Sequence, residues 1–119
     1  MKNQEIKFKN KINSYSVLIG NNVIGQLPKR IKKICPKVKN IAIIIDLNVP
    51  VKFRKSLLKK LKNYNVVFFN FLPNEKAKSI NTVNLFLNKL LSKNFNRDDL
   101  VIGIGGGTTG DVVGFVASI

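Results

Sequence analysis

The sequence predicts an α/β domain, a mostly parallel sheet flanked by helices, and three observations predict it. Ile41–Ile45 is a continuous apolar run, the signature of a strand covered on both faces. Shorter apolar runs of the same kind recur in Asn65–Leu72 and Leu100–Ile104. Between them lie stretches whose apolar residues repeat at helical spacing. Strands therefore alternate with helices from residue 40 onward, the pattern of βαβ units.

Taken in order, Ile6–Phe8 and Tyr15–Ile19 read as two short strands joined across polar Asn10–Ser14, as in a hairpin. Gly20-Asn21-Asn22 reads as a turn. Val23, Ile24, Leu27, Ile31 and Ile34 recur at helical spacing, with Pro28 breaking the pattern and marking a new first turn. Pro36 ends that element. The Ile41–Ile45 strand ends in Asp46. Asn48 or a neighbour caps the next helix, with Pro50 in its first turn. That helix sets Phe53, Leu57, Leu58 and Leu61 against lysines. After the Asn65–Leu72 strand, Pro73–Lys78 is a polar loop. Ile80, Val83, Leu87, Leu90 and Leu91 mark another amphipathic helix. Asn94–Asp99 connects to the Leu100–Ile104 strand, a glycine run follows, and Asp111–Ile119 begins a last helix. That helix is apolar nearly all round, so it calls for burial partners beyond those in this sequence. The expectation is one domain spanning residues 1–119, incomplete at its C-terminal end.

Composition narrows the function classes. At 119 residues and 45% hydrophobic, the chain suits one packed domain. No apolar run approaches the ~20 residues of a membrane span, and Met1–Glu5 lacks the apolar core of a signal peptide. Cys35 is the single cysteine, so no internal disulfide forms. The expected setting is cytoplasmic, with no membrane partner. The net charge of +15 raises nucleic-acid binding as a hypothesis. The lysines are spread along the chain, however, and no basic-aromatic ladder, zinc-finger spacing or RNP-like segment accompanies them. No specific nucleic-acid partner is expected, although weak nonspecific association at low salt is. A field of this sign also attracts an anionic, phosphorylated substrate.

The segment that carries chemistry is the glycine run. Gly105, Gly107 and Gly110 satisfy G-x-G-x-x-G, after a predicted strand and at the opening of a predicted helix. Glycines let the backbone approach a diphosphate, and the free N–H groups of the helix start face the anion. A tight strand-helix turn is the plain alternative. A Walker A loop is excluded, since Asp111 stands where lysine follows the glycine. The architecture is thus Rossmann-like, but the glycines follow a late strand and the acidic partner lies upstream. Asp46, at a strand carboxyl end, is the carboxylate suited to ribose hydroxyls, its alternative role being a turn or cap.

Gly105-Gly106-Gly107-Thr108-Thr109-Gly110-Asp111, with Gly114-Phe115 and Ala117-Ser118, is similar to the G-G-G-[VTI]-[VT]-G-D-x-x-G-F-x-A-[AS] signature of the 3-dehydroquinate synthases. Asp46-Leu47-Asn48-Val49 resembles that family's D-x-N-V segment. Pro73–Ser79 resembles its P-x-G-E-x-x-K-[ST] loop, without the glycine that precedes the glutamate, which shortens the turn. Asn96-Arg97-Asp98-Asp99 also fits. Order and spacing agree from about Tyr15 to Ile119. Gly110-Asp111 and Gly114-Phe115 favour this family over glycerol dehydrogenases and iron-dependent alcohol dehydrogenases; other sugar-phosphate cyclases stand closer.

The resemblance implies the amino-terminal NAD-binding domain of a two-domain enzyme. It implies that Asp46 and Asn48 meet the adenosine ribose side of NAD, and Glu75 and Lys78 the ribose and nearby groups. Gly106, Gly107 and Thr108 would meet the diphosphate, and Thr109 and Gly110 would also belong to the cofactor site. Asp111 would reach the nicotinamide-ribose side. The implied reaction converts the phosphorylated sugar acid DAHP to 3-dehydroquinate and phosphate, in aromatic amino-acid synthesis. NAD oxidises a ring hydroxyl, phosphate is eliminated, hydride returns, and an aldol step closes the ring. A divalent metal, zinc or cobalt, assists. Its two histidines and glutamate belong to a helical domain absent here, and this chain has no histidine. No catalytic or metal residue is therefore expected within it. The chain alone is expected to be inactive, and either to form a homodimer or to meet a missing catalytic half. The alternatives are another NAD-dependent cyclase, a glycerol-dehydrogenase-like enzyme, or a noncatalytic nucleotide-binding relic.

Overall fold

The computed structural model of the protein describes residues 4–9, 14–20, 23–72, 80–106, 113 and 116. The chain opens on an antiparallel hairpin, β1 (Gln4–Lys9) with β2 (Ser14–Ile19), paired so that Ile6 faces Val17. An isolated two-stranded hairpin is marginal in water. Here Arg30 ties it to the body of the domain, donating to both carboxylate oxygens of Glu5 at 3.0 Å each. A 3₁₀ turn, Val23–Gln26, leads into α1 (Leu27–Ile34), with Pro28 in the first turn where its missing N–H costs nothing. The predicted break at Pro28 is therefore present.

The sheet is built from β3 (Asn40–Asp46), β4 (Asn65–Phe71) and β5 (Leu100–Ile104), all parallel, in the order β4-β3-β5. The central position of β3 explains its run of isoleucines, since residues 41–45 are wholly buried. Its side chains alternate between two cores. Ile41, Ile43 and Ile45 pack with Ile31 of α1 and with Leu57 and Leu61 of the segment holding α2 (Val51–Lys60). Ala42 and Ile44 pack on the other face with Val83, Phe86 and Leu90 of α3 (Ile80–Ser92). The crossovers β3-α2-β4 and β4-α3-β5 run in opposite directions across the sheet. Right-handed connections then require their helices on opposite faces, as the two cores have them.

Phe86 anchors the second core, with ring centroids 6.1 Å from both Phe69 and Phe71. Burying such a side chain is worth about 1.5–3 kcal/mol. The α3 chain leaves its helix through Asn94, at φ 62°, with Phe95 N–H donating to the Leu90 carbonyl at 3.1 Å. This is a left-handed cap of the Schellman type.

Several expectations need correction. Leu58 (46% exposed) and Leu91 (69%) do not join the core. Each sits one position past a buried leucine, about 100° further round the helix. Ile34 (69% exposed) is the final residue of α1, and Cys35 and Val38 after it take the place against the core. Phe86, absent from the predicted stripe, is buried instead. Asn48 does not cap α2, which starts after Pro50, the N-cap residue, with no side-chain cap bond. Leu72 lies beyond the end of β4 and is exposed. The predicted loop Pro73–Lys78 and most of Asp111–Ile119 lie outside the described residues. Val113 and Val116 are helical, one turn apart, and pack on the α3 core. Among the described residues no helix is long and apolar enough to cross a membrane.

Candidate nucleotide site

Chain connections leave β3 and β5, which are neighbours, toward opposite faces of the sheet. The crevice outside their carboxyl ends is the topological switch point, where open α/β sheets collect ligands. Parallel pairing of Ile45 with Ile104 brings Asp46 on β3 and Gly105-Gly106 after β5 to the same end of adjacent strands. The motif residues are thus far apart in sequence and adjacent in the sheet.

Asp46 is held by its own turn. Its Oδ1 accepts the Asn48 N–H at 2.8 Å, and its carbonyl accepts the Val49 N–H at 3.0 Å. The Leu47 N–H donates to the Phe71 carbonyl of β4 at 2.9 Å, fixing the turn to the sheet. The carboxylate is half-buried, and its Oδ2 accepts no bond among the described residues. The turn reading and the ligand reading of Asp46 are compatible, since the turn uses one carboxylate oxygen and leaves the other. Asn48 is exposed on the same turn, with its backbone engaged.

Of the glycine segment, Gly105 and Gly106 are described. Gly105 has φ 154°, a conformation that L side chains rarely adopt. A Cβ at Gly106 would meet nothing within 4 Å, so its backbone lies open for a ligand to approach. Gly107, Thr108, Thr109, Gly110 and Asp111, like Glu75 and Lys78, lie outside the described residues.

Gly103, inside β5, was not singled out from the sequence. A Cβ there would stand 2.8 Å from Val113 Cγ2, so the missing side chain lets the helix after the glycine run lie close on the sheet. A lone glycine in an apolar strand is the available signal for such an approach. Asp99 was also missed. Its Oδ1 accepts the N–H groups of Lys39 (3.3 Å) and Asn40 (3.0 Å). Its Oδ2 accepts Asn40 Nδ2 (3.1 Å) and the Asn96 N–H (3.0 Å). Loss of hydration pushes its carboxyl up, but these four bonds outweigh that and hold it below the ordinary 3.8. Asp99 thereby clamps the start of β3 to the start of β5 and fixes the register that aligns Asp46 with the glycines.

A cavity of about 710 Å³ lies elsewhere, lined chiefly by Leu87, Leu90, Phe95, Leu100 and Val116. It opens at the amino-terminal end of β5, opposite the switch point, so it is no candidate for the nucleotide.

Residues 68–119 match the family description "3-dehydroquinate synthase N-terminal". The resemblance is to the amino-terminal domain of the 3-dehydroquinate synthases. The enzyme of that name from Pelagibacter ubique (strain HTCC1062) is 42% identical over 115 residues, covering 95% of this chain and 31% of its own length. That from Clostridium botulinum (strain Alaska E43 / Type E3) is 37% identical over 107 residues, covering 88% and 30%. The chain thus spans about a third of the synthases it matches. In fold it is similar to 2-deoxy-scyllo-inosose synthase, at a TM-score of 0.81 and 22% identity, over 99% of this chain and 33% of that one. A second structure of that enzyme, complexed with carbaglucose-6-phosphate, NAD+ and Co2+, aligns with a TM-score of 0.80. The α/β expectation and the family resemblance both stand.

Proposed function

We propose that these residues form the NAD-holding part of a 3-dehydroquinate synthase. The observation that carries the reading is the adjacency of Asp46 and Gly105-Gly106 at the switch point. In this reading Asp46 and Asn48 take the adenosine ribose side, and Glu75 and Lys78 the ribose and nearby groups. Gly106, Gly107, Thr108, Thr109 and Gly110 cradle the diphosphate, and Asp111 reaches the nicotinamide-ribose side. These residues fit the cofactor chemically: an anionic acceptor for hydroxyls, and glycine backbone for an anion. The chemistry NAD supplies when bound is reversible hydride exchange at a ring hydroxyl. The chain's own part is to bind and orient it.

A divalent metal does not fit this chain's donors. It has no histidine, and no group of three His, Cys, Asp or Glu able to hold a metal occurs among the described residues. In this reading the metal and the groups that hold DAHP come from outside these 119 residues, from a helical domain of the same enzyme or from a separate chain. The proposed setting is cytoplasmic. The test is phosphate release from DAHP, with NAD and Co²⁺. The chain alone should release none. Joined to the remainder of the Pelagibacter ubique synthase it should release phosphate in every turnover. Release by the chain alone, or turnover of the joined protein that ignores Asp46→Asn, contradicts the proposal.

A further inference from the structure

The charge is unevenly placed on the fold. Of the 21 Lys and Arg residues, six fall in Lys29–Lys39 and six in Lys52–Lys62, and Asp46 is the single carboxylate in residues 29–62. These twelve belong to α1, α2 and the turns after them, all on one face of the sheet. Lys29, Lys32, Lys33, Lys37, Lys39, Lys52, Lys55, Lys59 and Lys62 are exposed. Among the described residues, Arg30 is the only one of the twelve in an ion pair, with Glu5. Arg54 is turned inward onto Asn70 and the Phe68 ring, and Lys60 donates to Ser56.

Topology concentrates this charge further. Both helices run toward the amino-terminal ends of the strands they feed. The turns that follow them touch, the Asn65 N–H donating to the Lys39 carbonyl at 3.0 Å. Lys32, Lys33, Lys37, Lys39, Lys59, Lys60 and Lys62 therefore gather around one end of the sheet, opposite Asp46 and the glycines. Of the two carboxylates near that end, Asp99 is bound internally to Lys39, Asn40 and Asn96. Asp98 is left exposed against the seven cations.

We infer that this end of the α1–α2 layer binds the phosphate backbone of a nucleic-acid duplex, without reading its sequence. Exposed lysines are the group that neutralises phosphates and releases their counterions. The buried side chains of both helices are committed to the sheet, and the apolar residues they leave exposed, Ile34, Val51 and Leu58, are too few to form a stripe that enters a membrane. No exposed aromatic residue stands among these lysines, so neither base stacking nor single-strand selectivity is supplied.

The test is fluorescence anisotropy of a labelled 20-base-pair duplex, as DNA and as RNA, titrated with the full chain across a salt series. One variant carries K32Q, K33Q, K37Q, K59Q and K62Q. The control carries K7Q, K29Q, K52Q, K55Q and K89Q, the same loss of charge at exposed lysines away from that end. Circular dichroism verifies that both fold. The first variant should lose at least tenfold in affinity, with a salt slope shallower by about 4.5, at ~0.9 per phosphate contact. The control should lose threefold or less. Equal losses would overturn the inference, since net charge alone would then explain binding. So would displacement of the duplex by saturating NAD, which would put the duplex in the switch-point crevice. Tighter binding to phosphatidylserine vesicles than to either duplex would also overturn it.

Discussion

Asp46 joins local structure to chemistry at the scale of a single residue. Its Oδ1 completes the turn to Asn48, so alanine would disturb backbone and ligand together. Asparagine keeps an acceptor for the turn and removes the charge. A hydrogen bond to a charged group contributes about 1.5–3 kcal/mol. Asp46→Asn should therefore weaken NAD binding roughly tenfold or more, with little change in melting temperature, read by calorimetric titration and thermal unfolding. Asp99 makes a different prediction. Its carboxyl is lowered in the folded state, so its contribution is full above the ordinary 3.8 and is lost as pH falls through the folded value. Wild type should exceed Asp99→Asn in urea stability by a constant margin near pH 6, and that margin should shrink below about pH 4. A margin that does not shrink as pH falls below 3.8 would show that the carboxylate charge is not what clamps β3 to β5. Asp46 was legible as a candidate because a carboxylate ended an apolar run. The part of Asp99 was not, because its partners Lys39 and Asn40 are about sixty residues away and only the β3-β5 pairing unites them.

Among the elements, β5 shows how a strand can serve the element after it. Gly103 leaves room for Val113, and a methyl group there would stand 2.8 Å from Val113 Cγ2. Valine is short and stiff at χ1, so the helix rather than the side chain has to move. Gly103→Ala should cost about 1–3 kcal/mol, the usual range for overpacking. Adding Val113→Ala should recover part of that loss in a double-mutant cycle measured by urea unfolding. The end of α3 predicts the opposite sign. Asn94 holds φ 62°, which glycine adopts at no steric cost, so Asn94→Gly should be neutral or slightly stabilising and Asn94→Val destabilising. The elements themselves were legible from hydrophobic period. Their rotation was less so, since Leu57-Leu58 and Leu90-Leu91 each offer two leucines for one buried place, and only contact with the sheet chooses between them.

For the whole molecule, one face of the sheet carries the basic helices and one end carries the candidate nucleotide crevice. The order β4-β3-β5 creates that crevice by sending successive connections to opposite faces. Alternation of strands and helices announced a parallel sheet in the sequence, but strand order was not readable there, because the runs in β3, β4 and β5 are chemically alike. The glycine signature bridged that gap by family resemblance alone. The central claim is that the paired carboxyl ends of β3 and β5 hold NAD. The most direct measurement is isothermal titration of the full chain with NAD, beside the Asp46→Asn variant, at 50 mM and 300 mM salt. The account predicts saturable one-to-one binding, weakened roughly tenfold by the substitution and little altered by salt. No heat of binding, or binding indifferent to Asp46 and abolished by salt, would contradict it.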